Sequence, residues 1–469
     1  MLLYKKEPEF YKSVFSLALP IALQSLITIG VNMLDTIMVG SLGETALSAT
    51  SLANSFIIIY QIFCMGLGMG ASVLVSRYWG MKHAGQGKEE QGKEELASKA
   101  LKQTVCLMLR LTLGLALIFA LFTLVVPQTL MKMYTKDTLI ISLGSIYFRW
   151  SVVTYFFLGT SLVTTIVLRS VGQVRFPLIV SIGAFCVNLL ANYAFIFGKF
   201  GAPRMEVAGA ALGTVIARLF EAIMILGFLF LRDKKIQFRV HNLFMKTSTL
   251  FGEYMKICIP VLISDGILAI GNNSVAMVIG HLGAAFVAAN AITSVTQQLS
   301  TVVIQGVSQA GAIVTGQTLG RYGKEKAMVQ GWLFLGLGLA LGTVSAIFIM
   351  LASGPIISTY KVSAETVHIA QQLMLSISII IVFHATNSIM TKGVLRGGGD
   401  TRMLMVADNI FLWVLSIPLG ILAGFVFKLP AFWIYFCLKS DQVVKTFWCV
   451  IRLKSGKWVK KISTGKNAE

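Results

Sequence analysis

Residues 20–43 read PIALQSLITIGVNMLDTIMVGSLG, and residues 260–283 read PVLISDGILAIGNNSVAMVIGHLG. The two stretches align without a gap, 240 positions apart, and the match runs on to Gly80 and Gly320. Pro20, Asn32, Gly40, Leu42 and Gly43 fall on Pro260, Asn272, Gly280, Leu282 and Gly283. Ala49 and Gly66 fall on Ala289 and Gly306. Each copy holds two hydrophobic spans joined at a Leu-Gly pair. The ionisable groups differ: Asp35 faces Val275 in the alignment, and Asp265 faces Ser25. The chain reads as one half duplicated, with its own charges placed in each half.

Composition decides the solvent. Of 469 residues 56% are hydrophobic and 13% charged, whereas soluble domains carry roughly 25% charge. Mean hydropathy is +0.77. A bilayer span takes about 20 apolar residues. Twelve such stretches are expected, over 15–39, 51–75, 103–126, 141–167, 176–197, 205–231, 257–281, 286–315, 328–352, 369–393, 403–427 and 430–451. Long helical runs exclude an outer-membrane barrel, whose strands are short and alternating. The first span is too long for a cleaved signal peptide and reads as a permanent helix.

The formal charge of +20 becomes informative once it is located. Lys and Arg gather in the N-terminus, 76–102, 168–175, 232–256, 321–326, 392–402 and 452–466, and the intervening connections carry few. These are alternate connections, so the pattern is positive-inside with both termini cytoplasmic. It places the chain in a cell inner or plasma membrane as a multi-pass protein. No nucleic-acid partner is expected. The tail from Arg452 to Lys466 is expected on anionic lipid headgroups. All six cysteines lie in or beside apolar spans without a CxxC pair and read as packing residues.

The tandem repeat QGKEEQGKEE at 86–95 has no apolar face and reads as a solvated loop. LRSVGQVR at 168–175 returns as LRGGGDTR at 395–402, so the duplication extends well beyond the opening hairpin. The expected architecture is all-α and integral to the membrane: twelve transmembrane helices in two pseudo-twofold-related six-helix lobes. The lobes are 1–231 and 257–452, with a cytoplasmic linker at 232–256 and a basic cytoplasmic tail at 453–469.

An acid in hydrocarbon costs about 2.5–3.5 kcal/mol even on the lenient insertion scale, so each one needs a reason. Asp35 lies in the first span toward its outer end, with Asn32 one turn earlier. Asn188 and Asn192, spaced i and i+4 in the fifth span, come level with it. A carboxylate beside two amides can hold a proton or Na⁺ on hard oxygen ligands, or can simply join two helices. In the second half, Asp265, Asn272, Asn273, His384 and Asp408 are the candidates, either for a cation or for a gate. Asp441 is expected to pair with Lys445, and Arg218 with Glu221. No HExxH, GxSxG or Walker A sequence occurs, which points away from an enzyme and from ATP as the driving force.

PIALQSLITIGVNMLDTIMVGSLG at 20–43, the LR turn in each half, MEVAGAALGTVIARL at 205–219, LGAAFVAANAI at 282–292 and SGKWVKK at 455–461 together resemble the bacterial branch of the multidrug and toxic compound extrusion (MATE) transporters. The resemblance covers essentially the whole chain. It implies a monomeric antiporter exporting cationic amphipathic compounds in exchange for Na⁺ or H⁺, with no cofactor beyond that ion. Asp35 falls where the family has its first-helix acid, and Asn188 and Asn192 fall in its fifth-helix amide region. The chain departs from members with an acid in helix ten, where it has Ala385 beside His384 and Asn387. The resemblance therefore favours a cation site in the first lobe. A lipid or lipid-linked saccharide flippase is the alternative. It would want a basic cavity, whereas the interior candidates read from the sequence are acids and amides.

Overall fold

The computed structural model describes residues 8–84, 88–360 and 362–460. No strand occurs among them. Ten helices are long and apolar enough to cross a membrane, and an eleventh path is a pair bent by 59°. The first half comprises α1 (Pro8–Gly40), α2 (Glu44–Lys82), α3 (Lys88–Val125), the short α4 (Pro127–Lys132), the bent pair α5 (Thr138–Ser151) and α6 (Thr154–Ser170), α7 (Arg175–Phe197) and α8 (Val207–Gly227). The second half comprises α9 (Ser248–His281), α10 (Ala284–Arg321), α11 (Lys324–Ser358), α12 (Ala364–Ser388), α13 (Thr401–Ile410), α14 (Ile417–Ile421), α15 (Ala431–Leu438) and α16 (Ser440–Ser455). π-helical turns at Ile389–Leu395, Phe411–Ser416 and Leu422–Val426 extend α12 and link α13 to α14 and beyond. α15 and α16 follow the twelfth expected span. Neither is long and apolar enough alone, because Lys439, Asp441 and Lys445 interrupt the apolar run.

Local chemistry sets the boundaries. The Leu-Gly pair turns the chain in both halves, and Gly43 and Gly283 adopt φ of +114° and +109° there, a conformation that penalises a Cβ. Asp137 caps α5 by accepting from the backbone amides of Leu139 and Ile140 at 2.8 and 3.2 Å, and Ser363 caps α12 through Thr366, as small polar N-caps do.

The chain forms two compact units. One holds 23–82 and 88–258, and the other holds 8–22, 83–84 and 259–460. α1 therefore contributes its first turns to one unit and the rest to the other, changing over beside Pro20. α9 does the reverse, beside Pro260. The first turns of α1 are core residues of their unit: Phe10 meets Phe334 edge-on at 4.8 Å, and a Cβ on Gly306 would lie 2.6 Å from the carbonyl oxygen of Ala18. In the other unit, Tyr254 of α9 donates to the carbonyl of Leu67 at 2.8 Å.

One expectation changes here, and the described part of the tail can be placed. Residues 88–95 are not a loop but the opening turns of α3, and 86–87 lie outside the described residues. The described part of the tail is engaged with protein. Trp458 is fully buried, the Lys460 amide donates to the Gly398 carbonyl at 3.0 Å, and Arg452 grips the buried Asp400 at 2.7 and 3.1 Å. Lys460 Nζ also reaches Asp400, at 3.4 Å. Residues 461–469 lie outside the description. The equivalent turn of the first half is met similarly, by Lys235 Nζ donating to the Val171 carbonyl at 2.7 Å.

Candidate functional site

In the unit holding 23–82 and 88–258, α1 and α7 bring three of the expected residues together. Asn192 Nδ2 donates to Asp35 Oδ1 at 2.6 Å and lies 3.3 Å from Asn188 Oδ1. Both asparagines are buried, 5% and 1% exposed, while Asp35 is only partly covered. The i, i+4 spacing puts the two amides on one face of α7, one turn apart. α8 permits the approach because it has Gly213 there, where a Cβ would collide with Asn192 Oδ1. Asn32, placed beside Asp35 by spacing, is exposed and lies outside the cavity wall described next.

A cavity of about 230 Å³ opens beside Asp35 and Asn188. Thr28, Arg169, Arg218 and Glu221 also line it. Beside the acids and amides expected in the interior, two arginines also reach the wall. Each has a local partner. Arg218 Nη1 is 2.8 Å from Glu221 Oε2, the ion pair expected from their i, i+3 spacing. Arg169, in the LR turn, donates to Gln24 Oε1, whose Nε2 donates to Ser181 Oγ at 2.6 Å. Formal charge on the wall balances, with Asp35 and Glu221 against Arg169 and Arg218. The cavity can thus hold a polar or charged group while its wall carries no net formal charge, and Asp35 is the acid on it whose hydrogen-bond donor is an amide rather than a cation.

The second-half candidates do not form one site. Asp265 pairs with Arg396 of the other LR turn at 3.3 Å. Asn272 and Asn273 are exposed on α9. Asp408 is buried, and Lys445 Nζ lies 3.3 Å from it and 3.0 Å from Asp441. His384 Nδ1 lies 3.2 Å from Gln442 Oε1. The Asp441–Lys445 pair is as expected from sequence. Its third member, Asp408, was not placed with it, because α13 and α16 meet only in the fold. Gln24, Arg169 and Thr28 were likewise missed as cavity residues, since nothing in their spacing marks them.

Fold and site together define a multi-pass, all-helical membrane protein built on a duplicated unit, with an amide-held carboxylate beside a cavity in one unit. The MatE family profile matches residues 20–194 and 260–422, and the chain belongs to the MatE family. It is 26% identical over 97% of its length to the probable multidrug resistance protein NorM of Thermotoga maritima, covering 94% of that protein. It is 28% identical to the multidrug resistance protein NorM of Burkholderia vietnamiensis, over 86% of this chain and 85% of that one. A crystal structure of a MATE mutant superposes with a TM-score of 0.83 at 18% identity, over 97% of this chain and 98% of the other. That likeness supports the twelve-helix all-α membrane fold.

Proposed function

We propose that this protein is a secondary active efflux transporter that exports cationic amphipathic compounds in exchange for Na⁺ or H⁺ by alternating access. It would act in the cell inner or plasma membrane with both termini cytoplasmic. The observation that carries this reading is the Asp35–Asn192 contact at 2.6 Å. It holds an acid at the cavity with an amide that orients the carboxylate without neutralising it. Asp35 would then take a proton, or bind Na⁺ together with the Asn188 oxygen and backbone oxygens. Hard monovalent cations, like hard divalent ones, prefer such oxygen ligands. A positively charged substrate competes for the same charge.

The ion biases the cycle only through its differential affinity for the two states. One charge-assisted contact of about 1.5–3 kcal/mol moves that ratio roughly 10- to 100-fold. The names of the NorM relatives support multidrug export. The flippase reading gains from Arg169 and Arg218 on the cavity wall, but Arg218 is bound to Glu221 and Arg169 to Gln24. Dye efflux from proteoliposomes under Na⁺ and H⁺ gradients imposed one at a time tests the proposal. Gradient-dependent export of a cationic dye is the expected result. Transbilayer movement of an anionic lipid without dye export would favour the flippase.

A further inference from the structure

The unit holding 259–460 contains a buried charge group that the efflux reading leaves unused. Lys445 Nζ sits between Asp441 Oδ2 at 3.0 Å and Asp408 Oδ1 at 3.3 Å, and the three side chains are 3%, 3% and 9% exposed. The surroundings are built to hold the carboxylates. Ser416, at the end of the π-helical turn Phe411–Ser416, donates its hydroxyl to Asp441 Oδ1 at 3.0 Å and accepts from the Asp441 amide at 2.8 Å. Gln442 Nε2 donates to Asp441 Oδ2 at 2.6 Å. Gln442 Oε1 in turn accepts from Asn387 Nδ2 at 2.8 Å and from His384 Nδ1 at 3.2 Å. An amide oxygen only accepts, so His384 carries its hydrogen on Nδ1. Lys392 and Lys439 are the further charges near His384, and the buried Cys449 is a neutral thiol in the same neighbourhood.

Two buried carboxylates sharing one space repel each other and call for a cation between them. Here the cation is an ammonium on the chain itself. An ammonium is a compact monovalent charge that takes oxygen ligands, which is also what Na⁺ requires. The break between α15 and α16 at Lys439 falls two residues before Asp441, and the i, i+4 spacing within α16 brings the acid and the lysine together.

We propose that Asp408 and Asp441 form a monovalent-cation site in the second unit whose cation is supplied by the chain, the Lys445 ammonium acting as a tethered occupant. The site is closed to free ions while Lys445 is present and takes Na⁺ or a small primary ammonium once the side chain is shortened. This inference does not rest on the efflux reading, because it is tested by binding in purified protein rather than by transport.

The experiment measures thermal unfolding of the detergent-purified full chain in choline chloride at fixed ionic strength, titrated with NaCl or methylammonium chloride. All variants carry Asp35→Asn, which silences the first-unit carboxylate. With Lys445 present, neither cation shifts the midpoint. With Lys445→Ala the midpoint drops by several degrees, and methylammonium or Na⁺ restores it saturably. Adding Asp408→Asn to Lys445→Ala abolishes the response. Lys445→Ser, which also clears the space of the ammonium, serves as a second variant with the same expected response. Recovery of monodisperse protein only in methylammonium counts as the same result. A Lys445→Ala and Lys445→Ser pair indifferent to both cations, or unrecoverable in either, overturns the proposal. So does a saturable Na⁺ response while Lys445 is intact.

Discussion

Asn192 donates its side-chain amide to Asp35 Oδ1 at 2.6 Å, from a helix 157 residues further along the chain. The contact joins α1 to α7 within one unit and sets the direction in which the carboxylate presents itself to the cavity. Because the donor is neutral, the acid keeps its charge available. The other buried or half-buried acids described above have a cation within ion-pair distance: Glu221 has Arg218, Asp265 has Arg396, Asp400 has Arg452, and Asp408 and Asp441 have Lys445.

Asp35→Asn preserves the shape of the side chain and removes its charge. Gradient-driven dye efflux is expected to fall to the level of empty liposomes, while expression and melting temperature stay close to those of the wild type. Full efflux by this variant, measured in proteoliposomes, would place the coupling group elsewhere.

Gly213→Ala puts a methyl group where Asn192 Oδ1 now lies. Overpacking of this kind costs about 1–3 kcal/mol, and the strain falls on the residue that holds Asp35. The expected outcome is a modest fall in melting temperature with a disproportionate loss of efflux, on the order of tenfold for one lost charge-assisted hydrogen bond. Parallel thermal unfolding and initial-rate measurements check it.

Asp265→Asn removes the carboxylate that Arg396 approaches at 3.3 Å, in a pair whose arginine side chain is 6% exposed. Leaving a buried polar group unsatisfied costs about 1–3 kcal/mol. Destabilisation with efflux retained at a temperature well below unfolding is expected. Complete loss of efflux in a fully folded Asp265→Asn protein would restore this residue as a coupling or gating group.

Asp400→Asn strands Arg452, whose Nε and Nη2 approach the buried carboxylate at 2.7 and 3.1 Å. Breaking a buried pair by removing one partner costs about 3–5 kcal/mol. Melting temperature should fall, and limited proteolysis should cut near residue 455 faster than in the wild type. Unchanged proteolysis would mean that the segment around Trp458 holds its place without the ion pair.

Much of this was legible in one dimension. The gap-free repeat gave the halves, the apolar runs gave the spans, and a lone carboxylate in such a run drew attention to Asp35. Helical spacing paired Arg218 with Glu221 and Lys445 with Asp441, because i, i+3 and i, i+4 neighbours are local. What spacing could not supply was any meeting between distant helices. Asp408 joins Lys445 from another helix, Arg396 reaches Asp265 across 131 positions, and Arg169 and Arg218 reach the cavity wall. Asn32 shows the opposite error: it is a turn from Asp35 in sequence, yet it is exposed. The charged repeat at 86–95 read as a loop for want of an apolar face, but Glu, Lys and Gln are good helix formers, and its described part, 88–95, simply prolongs α3.

Because the opening turns of α1 are counted in the core of the unit made largely from later sequence, and those of α9 in the other, neither half of the gene encodes a self-sufficient body. A fragment cut within 232–247 would leave residues 8–22 with no surface to cover and would strip Tyr254 and Cys258 from α2. Co-expressed fragments should therefore rescue one another, while either alone should be degraded. During synthesis, the amino-terminal turns must wait for the last third of the chain before they reach their resting place.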